Sequence, residues 1–471
     1  MIMKKITSNS YLIVIVVLLI AGSFASCKKL IEIPNPPSSI TREEQFADSL
    51  TTLSAVAGVY TYYNSGSAFA YSDARLTYLP GLSSDELIYI NTNDNQQFYN
   101  YSLTPLNTGI ISLWSSAYQS IYQVNTVLEG VTNNNRLSAS FQRQISGEME
   151  VMRSLYYFNL VNLYGDVPLV TVTDYNTTTR LPRSSVAAVY RQIMSDLADA
   201  RKKLTATYPS AGRARPNLYT AIALQAKVNL YQGNWQSAYN GADSVIRLSG
   251  CSLVQTGLGK VFLTGSSEAI WQIPGAQPFG AGVADAVSFV PTSGSAFPNY
   301  LITSFLLNAF ETGDQRLANW TASKVRVVNG VNQTQYYPYK YKNRLSSVTP
   351  TEDQMILRLA EMYLIRAEAA AHLNNLSQAL TDVNSIRTRA GLLASTANPT
   401  SQTAVLAAVM KERQTELFCE WGNRWYDLKR TGTAAAVLGA EKTGFSANAA
   451  LYPLPQVQLQ LNNLLTQNPG Y

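Results

Sequence analysis

Arg153-Ser-Leu-Tyr-Tyr-Phe-Asn-Leu-Val-Asn-Leu-Tyr-Gly-Asp-Val-Pro-Leu-Val170 decides how the rest of the chain is read. Met152, Leu155, Tyr156, Leu160, Leu163 and Tyr164 recur at helical spacing, and Phe158 and Val161 widen the stripe. An apolar face this wide predicts a helix packed on more than one side. Gly165 can take φ > 0 where that helix ends, and Pro168 prevents its continuation. Asp166, between them, is read as a turn carboxylate bonded to nearby backbone.

Working outward, helical period recurs over Leu113–Val131 (Trp114, Tyr118, Ile121, Val124, Leu128) and over Phe141–Tyr164 itself. Ser184-Ser185 predicts the cap of a helix running to Leu204. Thr41 with Glu44 forms a capping box that opens a helix through Tyr63. A repeat then appears. Ala223, Ala226, Val228, Gly233-Asn-Trp235, Ala238 and Ala242 return at one fixed offset as Leu364, Ala367, Ala369, Asn374-Asn375-Leu376, Ala379 and Val383. Small residues at matched positions let paired helices approach closely, the pattern of a tetratricopeptide-type hairpin that needs neighbours to bury its face. The expected fold is mainly α: a tetratricopeptide-like helical hairpin stack with long loops and a few short β-strands on one face. Asn64–Leu113 and Ser249–Pro298 are expected to be loop-rich, Tyr300–Phe310 a short helix, and Asn329-Gly330 the turn of a hairpin.

Charged residues make up 14% of the chain against 29 tyrosines, and the formal charge is +6 without a basic stripe. Nucleic acid is therefore a poor partner for this surface. At the N-terminus Lys4 and Lys5 precede an apolar run, Tyr11–Ala21, too short to span a bilayer. Ala25, Ser26 and Cys27 then follow, so residues 1–26 are expected to be a lipoprotein signal peptide and Cys27 its lipidated residue. Residues 27–40, with Pro34, Pro36 and Pro37, are expected to be a lipidated tether. Cys251 and Cys419 are left; they could pair, although Cys419 reads better as a small core residue.

Several blocks carry a family resemblance. Besides the Arg153 block they are Arg358-Leu-Ala-Glu-Met-Tyr-Leu-Ile-Arg-Ala-Glu-Ala369, Asn384-Ser-Ile-Arg-Thr-Arg-Ala-Gly-Leu392 and Glu412-Arg-Gln-Thr-Glu-Leu417. Glu420-Trp-Gly-Asn-Arg-Trp-Tyr-Asp-Leu-Lys-Arg430, Tyr452-Pro-Leu-Pro455 and Gln467-Asn-Pro-Gly-Tyr471 complete the set. In this order they resemble the SusD/RagB family of outer-membrane nutrient-binding lipoproteins. The resemblance implies an N-terminal helical region with ligand loops, 41–298, and a C-terminal helical region, 299–471, forming one body over 41–471. It also implies a SusC-type TonB-dependent barrel as partner, with this chain as its lid. The ligand would be a glycan or peptide, and the N-terminal lipid would hold the chain to the outer membrane, facing the exterior.

The residues themselves offer little for catalysis. His372 is the single histidine, so Ser-His-Asp and multi-histidine metal sites have no basis, and no cofactor motif is present. Paired carboxylates remain, because a glycosidase needs only two. Asp85 and Glu86 are one pair. Glu361, Glu368, Glu412, Glu416 and Glu420 lie at helical spacing from Arg358, Arg366, Arg413 and Arg424 and are read as structural ion pairs, as are Asp427 and Arg430. Binding suits the composition better. Aromatic rings flanked by amides recognise both the C–H faces and the hydroxyls of a sugar. Tyr89, Asn95, Phe98 and Tyr99 in the first loop region, with Phe279 and Phe297 in the second, are the candidate ligand residues. Trp320 is read as core. The alternatives are a helical-repeat scaffold that docks proteins and a two-carboxylate glycan hydrolase.

Overall fold

The computed structural model describes residues 40–63, 74–274, 282–345 and 351–471; Cys27, the signal peptide, all of the tether except Ile40, and Phe279 lie outside them. Among the described residues no helix is long and apolar enough to cross a membrane. The body is mainly helical. Its principal helices are α1 (Ser49–Tyr63), α2 (Arg75–Ser83), α3 (Thr108–Val131), α4 (Ala139–Tyr164), α5 (Val186–Lys203), α6 (Leu218–Tyr231), α7 (Trp235–Leu248), α8 (Leu359–His372), α9 (Leu376–Arg389), α10 (Gln402–Glu416) and α11 (Asn423–Arg430).

Helix α4 is buried along almost its whole length, from Ile145 to Tyr164, and packs against both α3 and α5. Its start is capped by the Ser138 side chain, and it ends at Gly165 with φ 74°. Arg153 crosses to Asp196 on α5 through two bonds of 2.8 and 2.7 Å and to Asn125 on α3 at 2.8 Å, so one guanidinium pins three helices. The last carbonyls of α4, orphaned by the helix end, receive donors from the far C-terminus. Tyr452 N donates to Leu163 O at 2.8 Å, and Asn468 Nδ2 donates to Tyr164 O at 2.9 Å. Asp166 accepts from Val186 N at 2.8 Å, the turn role its position suggested.

The repeat is two helical hairpins, α6–α7 and α8–α9. Helix α7 packs directly on α8, so the hairpins are neighbours in space although a long segment separates them in sequence. Both turn at matched positions with positive φ, 71° at Gly233 and 61° at Asn374. His372 stacks on Trp235 across this interface, with centroids 3.7 Å apart and planes at 7°.

Among the described residues three two-stranded antiparallel ladders cover the helices: β1 (Leu87–Tyr89) with β3 (Tyr300–Ile302), β2 (Ala269–Pro274) with β6 (Asp353–Arg358), and β4 (Thr321–Val328) with β5 (Val331–Pro338). The β4–β5 hairpin turns at Asn329 and Gly330, both at positive φ. Some expectations need correction. The helix opened by Thr41 breaks after Gln45 and restarts as α1, because the Asp48 carboxylate takes the Leu50 and Thr51 N–H groups and caps a new start. The segment read as loop from 64 to 113 contains α2, which forms around Pro80 because Leu76, Leu79 and Leu82 are buried. Tyr300–Ile302 is strand, and the expected helix begins only at Ser304 under a Thr303 cap. Cys251 and Cys419 are separate buried thiols.

Candidate functional site

The two loop regions meet through the β1–β3 ladder, which sets Tyr89 directly opposite Tyr300. Opposed residues of an antiparallel pair point to one face, so the two rings pack, with centroids 5.0 Å apart. Tyr78 from α2 lies 4.7 Å from Tyr300 on another side, and Phe289 meets it edge-on at 5.7 Å. Asparagines from the loop after β1 close over the phenols. Asn93 Nδ2 donates to the Tyr89 hydroxyl at 2.7 Å, Asn95 Nδ2 donates to the Tyr300 hydroxyl at 2.8 Å, and Asn91 Nδ2 reaches Asn299 Oδ1 at 3.0 Å. Burial raises the pKa values of Tyr78 and Tyr300, so both stay protonated and can donate. The result is an aromatic base in which Tyr89, Tyr300 and Phe289 are buried, under an exposed rim of neutral amides at Asn91, Asn93 and Asn299.

The loop is itself anchored. Asn107, the cap of α3, donates to Asp94 O and to Gln97, both at 2.9 Å, and Asp94 accepts from Thr108 N at 3.1 Å. Of the residues named from sequence, Tyr89 and Asn95 are in this cluster. Phe297, two residues before the Asn299 rim, is half-buried under the Arg326 guanidinium at 5.5 Å. Phe98 is fully buried edge-on against Tyr452, where it supports the loop from beneath rather than facing solvent. Tyr99 is half-buried beneath the Lys442 ammonium at 4.4 Å. Tyr78 and Tyr300 were not singled out from sequence. Tyr300 joins Tyr89 only through a ladder between distant segments, and Tyr78 sits in a helix whose Pro80 and Gly81 read as loop.

The carboxylates are structural. Asp85 is buried and holds Arg424 through bonds of 2.8 and 2.6 Å. Glu86 accepts from Cys419 N at 3.1 Å, and burial, with Asp85 beside it, pushes its carboxyl up to about 8. With both below the surface, no glycosidic bond reaches this pair where it lies. Glu412, Glu416 and Glu420 join Arg316, Arg358, Arg389 and Lys340 in one buried ion network, with Arg358 Nη1 2.5 Å from Glu416 and Arg316 Nη1 2.5 Å from Glu412. Glu368 pairs with Arg430, Glu361 with Lys227, and Arg413 with Asp427. Arg366 pairs instead with Asp243 and Asp382. Trp320 lies in the core against Lys340, as its position suggested.

Comparison with known proteins adds to this geometry. The model of the SusD family matches residues 299–471, and one described as starch-binding associating with the outer membrane matches residues 35–230. SusD-like protein P25 of Formosa agariphila is 26% identical over 98% of this chain and 99% of its own length. SusD-like protein P38 of the same organism is 25% identical over the full length of both. Among solved structures, a laminarin-binding SusD-like protein is 26% identical with a TM-score of 0.76, covering 90% of this chain and 100% of its own. A SusD superfamily protein from Bacteroides vulgatus, 22% identical, shares the fold with a TM-score of 0.78 over 90% of this chain and 100% of its own.

Proposed function

The chain belongs to the SusD-like family, and on that premise we propose that it captures a neutral oligosaccharide at the outer membrane without transforming it. The asparagine-bridged tyrosine cluster carries this reading. Its tyrosine rings, Tyr89 and Tyr300, are buried and fix the orientation of the amides above them; the exposed amides of Asn91, Asn93 and Asn299 suit sugar hydroxyls, and the half-buried Phe297 suits an apolar ring face. Preorganisation matters because ordering a loop at the moment of binding would reduce affinity. The laminarin-binding relative favours a glucan over a peptide. In this reading Asn95 and Phe297 contact the ligand, the buried Tyr89 holds Asn93 in place from beneath, Phe98 and Tyr99 hold the loop, and Phe279 is a further candidate contact.

The same proposal places the chain as the lid of a SusC-type TonB-dependent barrel, held to the membrane by a lipid on Cys27 and facing the exterior. Calorimetric titration with laminarin, starch, other neutral glycans and peptides tests the ligand class, and co-purification of a barrel tests the partner. Metabolic labelling with a fatty acid, lost in Cys27→Ser, tests the anchor. Binding to peptides alone, or to neither class, would overturn the ligand reading.

A further inference from the structure

We infer that a cleft of about 470 Å³ between α3, the 168–181 segment and the C-terminal tail is an additional saccharide site, taking a short neutral oligosaccharide. It is separate from the tyrosine cluster. Asp94 of the loop touches the first turn of α3, whereas Ser115 and Tyr118 line the cleft two turns further on, roughly 10 Å along the axis.

The cleft is built rather than incidental. Trp114 and Tyr118 form its floor with centroids 4.9 Å apart, and the Tyr118 hydroxyl is fixed by donating to Pro168 O at 2.8 Å. Asn462 Nδ2 donates to Leu181 O at 2.9 Å and so ties the tail to the opposite wall. Asp174 caps the short helix Tyr175–Thr178 and sets Tyr175 at the mouth, where that ring is 75% exposed.

Its chemistry selects the occupant. None of the described residues lining it is charged, which disfavours ionic ligands. The volume lies within the ordinary range for small-ligand sites, which combine apolar walls with a few placed polar groups. Among the described residues, the Gln458 amide and the Ser115 hydroxyl line the cleft without a hydrogen-bond partner of their own. An exposed tyrosine beside free neutral donors and acceptors fits a sugar ring and its hydroxyls. The ligand class rests on the reading given above; the location does not.

The test is calorimetric titration of the protein with laminarihexaose and with maltohexaose. The parent is compared with Tyr175→Ala, Gln458→Ala and the Asn93→Ala/Phe297→Ala double variant, and thermal melting checks each fold. The expected result is that each cleft variant weakens at least one probe by about fivefold or more, or removes one of two binding events, with an unchanged melting temperature. That component should persist in the double variant. Unchanged affinity and stoichiometry in both cleft variants, or no binding of either probe by the parent, overturns the inference. If all binding is lost in the double variant while the cleft variants match the parent, the inference falls and the proposed function stands. If binding survives the double variant and vanishes with Tyr175→Ala, the cleft stands and the loop site falls. A barrel retained by the parent and lost with Tyr175→Ala, with both titrations unchanged, assigns the cleft to a protein and overturns the inference.

Discussion

Asn93 and Asn95 each commit an amide to a tyrosine hydroxyl, and this fixes the exposed edge of the loop before any ligand arrives. Asn93 is exposed and Phe297 half-buried, so replacing them with alanine should leave the fold intact. Each change is expected to weaken glycan binding about 3- to 10-fold, the loss that follows from about one hydrogen bond or partial ring contact, with little change in melting temperature. Glu86 supplies a pH test. Its folded carboxyl titrates at about 8 against an ordinary 4.5, so the folded state keeps a proton that the unfolded state releases. Its contribution is full below about pH 4.5 and is lost as pH rises towards 8. Glu86→Gln removes that loss. Its melting temperature relative to the parent should therefore rise steadily from about pH 5 to about pH 8, and a constant difference would contradict the assignment.

The helical hairpins repeat one another down to their turns. Gly233 and Asn374 hold the same position, both at positive φ, so Gly233→Ala should cost about 1 kcal/mol and Asn374→Gly should be close to neutral. A Cβ on Gly241 would lie 3.0 Å from the Ala226 Cβ, so Gly241→Val should overpack the α6–α7 interface by about 1–3 kcal/mol. Denaturant midpoints measure all three. These features were legible because they are local: small residues at helical spacing and a turn residue between them. The β1–β3 ladder was not, since three-residue strands from distant segments carry almost no pattern of their own. Helix α2 was hidden by Pro80 and Gly81, and its formation depends on burial rather than propensity. The candidate site was accordingly half visible. The loop's aromatic and amide composition pointed to Tyr89 and Asn95, while the partners Tyr78 and Tyr300 required the fold.

Across the whole molecule, a buried ion network locks the C-terminal helices to the strands beneath the loops. Glu416 accepts from Arg316, Arg358 and Arg389 at once. Burial opposes its ionisation, yet the three guanidiniums hold its carboxyl far below the usual range. Glu416→Gln leaves those cations without their shared anion and should destabilise the protein by about 3–5 kcal/mol in denaturant unfolding. The glutamates whose sequence pattern reads as structural ion pairs thus hold the scaffold, while the loop rim presents the neutral amides of Asn91, Asn93 and Asn299. The proposed function is capture of a neutral glycan without chemistry. Calorimetric titration with laminarin oligosaccharides, followed by chromatography of the recovered sugar, tests it most directly. The expected result is saturable binding, weakened by Asn93→Ala, with the oligosaccharide recovered at its original length; shortened products, or no binding across the panel of neutral glycans, would contradict it.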